Sequence, residues 1–229
     1  MKNNVLITGC SSGFGLALTK YYIEQGYKVY GISRTKPEFK NDSFSFINCD
    51  LSNVDDIKKN LTNIITNIKN IELVYLNAGM LGDIKSSFDL TSNELREVYE
   101  LNVYANKELL DILSTINVKT IIGISSGAAV NGSKGWAGYS LSKAGLNMLL
   151  NLYSKEMIDT KILAVAPGVI ETPMTDFIRF DIDDVEFPSA KKLKEGEIQT
   201  PKQAVIRMDN LVQQIDKFES GSFVDVRDV

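Results

Sequence analysis

Asn3 to Ile23, NNVLITGCSSGFGLALTKYYI, is the stretch whose reading decides the fold. Val5, Leu6 and Ile7 make an unbroken apolar run of the kind found in a strand buried on both faces. Gly9, Gly13 and Gly15 follow within TGCSSGFG, and Leu16, Ala17, Leu18, Tyr21, Tyr22 and Ile23 then recur at helical spacing. Strand, glycine turn and helix, in that order, is the context that a dinucleotide-binding fingerprint requires. Glycine there lets backbone N–H groups and a helix N-terminus come close to a pyrophosphate. The bland alternative is a glycine-rich turn with no ligand.

Outward from this unit, strand and helix signals alternate. Gly26 ends the first helix, and Lys28–Ser33 and Phe44–Asn48 read as the second and third strands. Val54, Ile57, Leu61, Ile64, Ile65 and Ile68 give a three-four repeat, with Ser52 and Asp55 making a box-like start. Glu72–Leu76 reads as a fourth strand, and Thr91 to Glu94 as a capping box opening one long helix to about Ile116. Val118–Ile124 and Lys161–Ala166 are the fifth and sixth strands. From Pro173 to Gln199 periodicity is lost, and the segment reads as a mobile flap. Thr200, Pro201 and Gln203 restart a helix with a buried stripe of Val205, Met208, Leu211, Val212 and Ile215, and Ser222–Val226 supplies a last edge strand.

Composition bounds the function. The 229 residues, 44% apolar, suit one domain over 1–229. A net charge of −4 argues against a nucleic-acid surface. The Lys191-Lys192-Leu193-Lys194 run is balanced by Glu195 and Glu197 and reads as a solvated face. No apolar stretch is long enough to span a membrane, and the start leads straight into the glycine turn, so a cytoplasmic protein is expected. Cys10 and Cys49 read as reduced thiols near strand ends. Histidine is absent, which excludes Ser-His-Asp catalysis and His-ligated metal within the chain.

Ser125 to Lys143, SSGAAVNGSKGWAGYSLSK, carries the chemistry. On a helix predicted from Gly138 to about Met157, Tyr139 and Lys143 share one face. A cation about 5 Å from a phenol, at an effective dielectric of about 20, favours the phenolate by roughly 3 kcal/mol, with burial acting the other way. That brings a group titrating near pH 10 toward general acid-base work.

Six motifs in order then make the chain resemble the short-chain dehydrogenases/reductases: TGxxxGxG; Asp50-Leu51; Asn77-Ala78-Gly79; Asn102 within Leu101-Asn102-Val103; Ser126 thirteen residues before Tyr139-Ser-Leu-Ser-Lys143; and Pro167-Gly168-Val169-Ile170-Glu171-Thr172. The resemblance implies an α/β fold, a Rossmann-like doubly wound three-layer αβα sandwich with about seven mostly parallel strands. It implies catalysis by Asn102, Ser126, Tyr139 and Lys143, reversibly reducing a carbonyl to an alcohol. Dinucleotide contacts would come from Gly9, Ser11, Ser12, Gly13, Phe14, Gly15, Ser33, Arg34, Asp50, Leu51, Asn77, Ala78, Gly79, Tyr139, Lys143, Pro167, Gly168, Val169 and Thr172. Asp50 reads equally well as part of the next helix cap. No acid occurs from Ser33 to Lys36, and Arg34 stands where NADP-preferring members carry arginine, so NADP is expected over NAD, unless Arg34 is an ordinary solvated loop residue.

Trp136, Met80, Leu81, Val130, Met174 and Phe177 suggest an apolar pocket wall and a partly apolar carbonyl or alcohol substrate. Relatives often pair through the helix carrying Tyr139, so a homodimer or homotetramer is implied, with Leu146, Leu149, Leu150 and Tyr153 serving either that interface or the core. A dinucleotide sensor on the same fold is the rival reading. A sugar epimerase or dehydratase is disfavoured by the short stretch after Thr172.

Overall fold

The computed structural model describes residues 3–229. Seven strands, β1 (Asn4–Thr8), β2 (Lys28–Ser33), β3 (Phe44–Asn48), β4 (Asn70–Leu76), β5 (Asn117–Ile124), β6 (Lys161–Ala166) and β7 (Phe223–Asp225), form one sheet in the order β3-β2-β1-β4-β5-β6-β7. Every neighbouring pair is parallel. Strands covered on both faces need apolar side chains in both directions, and β1 shows it: Leu6 enters one core while Val5 and Ile7 enter the other.

The first core holds Ile57, Leu61 and Ile65 of α2 (Val54–Thr66), Leu109 and Leu113 of α4 (Ala105–Leu113), and Leu146 and Leu150 of α5 (Ala137–Glu156). The second holds Phe14, Leu18 and Tyr22 of α1 (Gly13–Glu24) and Ala204, Met208 and Leu211 of α8 (Pro201–Gln213). Strand order reverses between β1 and β4, so the loops after these two strands diverge and leave a crevice. No helix among the described residues is long and apolar enough to cross a membrane.

Four expectations change. The stretch from Pro173 to Gln199 is not periodicity-free loop: it folds as α6 (Pro173–Phe180) and α7 (Pro188–Glu195), each opened by a proline and too short for a repeat to show. Phe187 pins this pair down, since its ring fills the space a Cβ would occupy at Gly135. The long helix predicted to Ile116 is interrupted: α3 (Ser92–Tyr99) passes through a π-helical turn, Glu100–Tyr104, into α4. The N-cap of α2 is Asn53, not Ser52, with Asn53 Nδ2 donating to Asp56 Oδ2 at 2.8 Å. Leu146 and Leu150 are core, with Leu149 and Tyr153 packed against it, and the exposed apolar residues of α5 are Leu141, Met148 and Leu152.

Candidate active site

A cleft of about 650 Å3 opens at the C-terminal ends of the strands. Every expected site residue except Asn102 lines it. Its floor is the turn between β1 and α1. Gly9 and Gly13 have φ of +69° and +51°, which side chains disfavour. A Cβ on Gly15 would overlap the Gly9 carbonyl and lie 2.5 Å from Asn77 Nδ2. The turn therefore folds onto itself only because these positions lack side chains. Ser12 caps α1 by position, but its side chain makes no capping bond, leaving the first helix amides free to meet an anion.

Thr8, which the motif reading passed over, ties this floor to β4. Its buried Oγ1 accepts from Asn77 N and Ala78 N, each at 2.9 Å, and donates to Tyr75 O at 3.4 Å. Asn77 Nδ2 returns a bond of 2.9 Å to Thr8 O. Gly79 faces Asn102 and Lys143: a Cβ there would lie 3.2 Å from Asn102 Oδ1 and 3.3 Å from Lys143 Nζ.

At the far end of the floor, Ser33 Oγ donates to Thr35 O at 2.7 Å and lies 3.4 Å from Cys10 Sγ. Both thiols are free and buried, and burial pushes both up in pKa. Arg34 is exposed just past β2, its carbonyl held by Asn48 Nδ2 at 2.6 Å. Asp50 lines the cleft and accepts from Ser52 N and Ser52 Oγ at 3.0 and 2.6 Å, in the turn that precedes the Asn53 cap of α2. Those hydroxyl and amide donors, with Arg34 nearby, hold its pKa below the usual carboxylate value against the opposing effect of burial. Uncapped amides at α1, beside three glycines that let a ligand come close, and an exposed arginine past β2 are a donor set that fits a nicotinamide dinucleotide.

Three of the four expected catalytic side chains lie at the other end. Ser126 and Tyr139 both line the cleft, the Ser126 side chain acting to lower the phenol's pKa, and Ser126 Oγ accepts from Ala128 N at 3.1 Å. Ser125 points elsewhere, donating to Asn147 Oδ1 at 2.5 Å. Lys143 Nζ donates to Ile124 O at 2.7 Å and lies 5.6 Å from the centre of the Tyr139 ring. The expected lowering of Tyr139 by Lys143 is not met. Burial holds the phenol above its ordinary pKa, with only the Ser126 side chain opposing it, and burial draws Lys143 down to about 8. Burial thus favours the neutral form of each group.

Asn102 stands in the π-helical turn with its side chain fully buried and committed. Asn102 Oδ1 accepts from Met80 N at 2.8 Å, and Nδ2 donates to Met80 O and to Ser142 Oγ, each at 2.9 Å. Its backbone carbonyl accepts from Asn106 Nδ2 at 2.8 Å. It therefore locks the loop after β4 onto α5, behind the cleft.

Pro167, Gly168 and Val169 form the opposite wall, with Gly168 at φ +79° and Gln199 Nε2 donating to Pro167 O at 2.5 Å. Thr172 caps α6, its Oγ1 accepting from Thr175 N at 3.3 Å, and its methyl group lies over Gly13. Of the anticipated apolar wall, Leu81, Trp136 and Met174 line the cleft, joined by Ile178 and Leu193. Met80, Val130 and Phe177 do not, and the last two are solvent-exposed. Arg227, from the C-terminal turn, also reaches the cleft, paired with Asp225 at 2.6 Å. Nothing in the sequence signals it, because the residue arrives through the placement of β7 at the sheet edge.

Residues 3–183 match the family model described as short chain dehydrogenase. The chain is 32% identical over 188 residues to a benzil reductase, (S)-benzoin forming, of Bacillus subtilis (strain 168), covering 76% of this chain and 77% of the relative. It is 30% identical over 250 residues to a benzil reductase of Bacillus cereus, covering 97% and 98% of the two chains. A crystal structure of a short chain dehydrogenase family protein from Francisella tularensis superposes with a TM-score of 0.84 at 24% identity, covering 98% of this chain and 97% of that one.

Proposed function

The chain belongs to the short-chain dehydrogenase family of nicotinamide-dependent oxidoreductases, and from that premise we propose that it reversibly reduces the carbonyl of a small aldehyde or ketone to an alcohol with NADP(H). The observation that carries this reading is that Ser126, Tyr139 and Lys143 line one glycine-floored cleft, with Lys143 Nζ 5.6 Å from the Tyr139 ring centre.

The dinucleotide, when bound, supplies the hydride. Ser126 orients the carbonyl oxygen, and Tyr139 donates its proton to that oxygen as negative charge develops there. Lys143, fixed on the Ile124 carbonyl, stabilises the phenolate left behind. Asn102 acts as a positioning residue: its backbone carbonyl keeps a second lone pair beside the Asn106 bond, suited to hold a water that resupplies the proton. Arg34, exposed and with no acid from Ser33 to Lys36, supports a preference for a 2′-phosphate. Leu81, Trp136, Met174, Ile178 and Leu193 supply an apolar surface for the body of the substrate. Because two relatives are benzil reductases, a 1,2-diketone is the first compound to assay.

A cytoplasmic setting suits the two free buried thiols. Assembly as a homodimer or homotetramer suits Leu141, Met148 and Leu152, an exposed apolar stripe at helical spacing on α5. The test is Tyr139→Phe, assayed by NADPH absorbance. Turnover is expected to fall by about 10²–10⁴ with NADPH binding retained. Substantial residual turnover with benzil rejects the assignment.

A further inference from the structure

Three lysines share α7, and their partners differ. Lys191 Nζ lies 3.9 Å from Glu195 Oε1, and Lys194 Nζ lies 3.0 Å from Asp184 Oδ2. Lys192 has no carboxylate partner among the described residues, and of the three it alone lines the cleft. Lys191 and Lys192 are exposed, as a solvated face requires, but the three ammonium groups are not equally balanced. Leu193, the next residue, packs against the buried cluster of Leu81, Trp136, Ile178 and Ala190, against which Tyr139 also packs, which puts this end of α7 on the wall that carries the phenol.

A second, independent observation comes from the same wall. Trp136 Nε1, Ser140 Oγ and Ser189 Oγ are buried without any hydrogen-bond partner, and all three residues line the cleft. Trp136 is only 7% exposed. Leaving a buried donor unpaired is costly, and donors kept so beside a cleft are ready for an acceptor brought by a ligand. Among the described residues, the carboxylates lining the cleft are Asp50, beside Ser52 and the Arg34 end, and Asp225, already held by Arg227 at 2.6 Å. In a chain of net charge −4, this wall offers donors and a cation and no acid.

We propose that Lys192, with Ser189, Ser140 and Trp136, binds a carboxylate carried by the substrate, so that the carbonyl compound reduced here is an oxo acid. This rests on the carbonyl-reductase reading and replaces a wholly apolar substrate with one whose apolar body ends in an acid.

The test compares two acid and ester pairs, phenylglyoxylate with its methyl ester and 4-formylbenzoate with its methyl ester, on wild type and Lys192→Gln. Wild type is expected to favour the acid of at least one pair about tenfold in kcat/KM, the worth of one charge-assisted hydrogen bond. Lys192→Gln should lower kcat/KM, through KM, about tenfold more for that acid than for its ester. A readout free of turnover is the fluorescence of Trp136, the chain's single tryptophan: benzoate should quench it, methyl benzoate should not, and Lys192→Gln should weaken the benzoate response. Equal use of acids and esters, or a Lys192→Gln loss that falls equally on both and tracks a raised KM for NADPH, overturns the proposal and assigns Lys192 to the cofactor or to solvent. Turnover without acid preference leaves the reductase reading standing; carboxylate-dependent quenching with no turnover of any carbonyl supports the binding wall and sinks that reading.

Discussion

Replacing Lys143 by methionine is expected to make the protein more stable as it removes turnover. The ammonium is almost fully buried and held by one carbonyl, Ile124 O. Burial takes its pKa from 10.5 to about 8. That fall, at about 1.36 kcal/mol per pH unit, means that keeping the charge buried at pH 7 costs about 3 kcal/mol. Methionine has similar length and no charge, but it forfeits the bond to Ile124 O, worth about 1 kcal/mol. The net gain is about 2 kcal/mol, or about 4–8 °C in Tm for a chain of this size.

The sign of the pH dependence follows. Between pH 8 and 10.5 the unfolded chain holds the lysine proton that the folded chain has shed, so wild-type stability from this group rises with pH. The advantage of Lys143→Met is therefore full below about pH 8 and fades as the pH approaches about 10.5. Urea unfolding of both proteins at pH 7 and at about pH 10 measures it, since groups common to both cancel in the difference. A variant less stable than wild type at pH 7, or a difference that is flat across this range, refutes the reasoning.

Other perturbations probe the floor of the cleft. Gly15→Ala puts a methyl group into the Gly9 carbonyl; it should cost about 1–3 kcal/mol and weaken NADPH binding, and wild-type affinity by calorimetry would contradict this. Thr8→Val keeps the shape of the side chain but strips the acceptor from Asn77 N and Ala78 N; with each orphaned amide costing about 1–3 kcal/mol, an unchanged urea midpoint would show that the clamp is dispensable. Arg34→Ser should weaken NADPH about tenfold, the loss of one charge-assisted contact, while sparing NADH. Equal or tighter binding of NADH by wild type would itself refute the NADP preference.

Much of this molecule was legible from periodicity and spacing because those signals are local. β2, β3 and β6 have the bounds read from their apolar runs, and the Thr91 and Thr200 capping boxes are both present. α6 and α7 escaped because eight-residue helices give barely two turns of pattern. The π-helical turn was implied only by the resemblance, which places a local perturbation of the helix at Asn102, because five residues are too few for a shifted apolar repeat to show. The pocket wall was read only in part: Val130 and Phe177 are apolar and close in sequence to Ser126 and Thr172 respectively, yet both are exposed to solvent.

What the amino-acid order determined by itself is where a strand, a glycine turn or a helix must stand, and that Tyr139 and Lys143 share a face, since each follows from the conformational limits of a few neighbouring residues. Tertiary structure alone decided the electrostatics and the reach of distant parts. Burial depth, which no window of sequence contains, puts Lys143 near 8 and lifts Tyr139. Packing of α7 over Trp136 separates Lys192 from the paired Lys191 and Lys194, three residues that the sequence presents as equivalent.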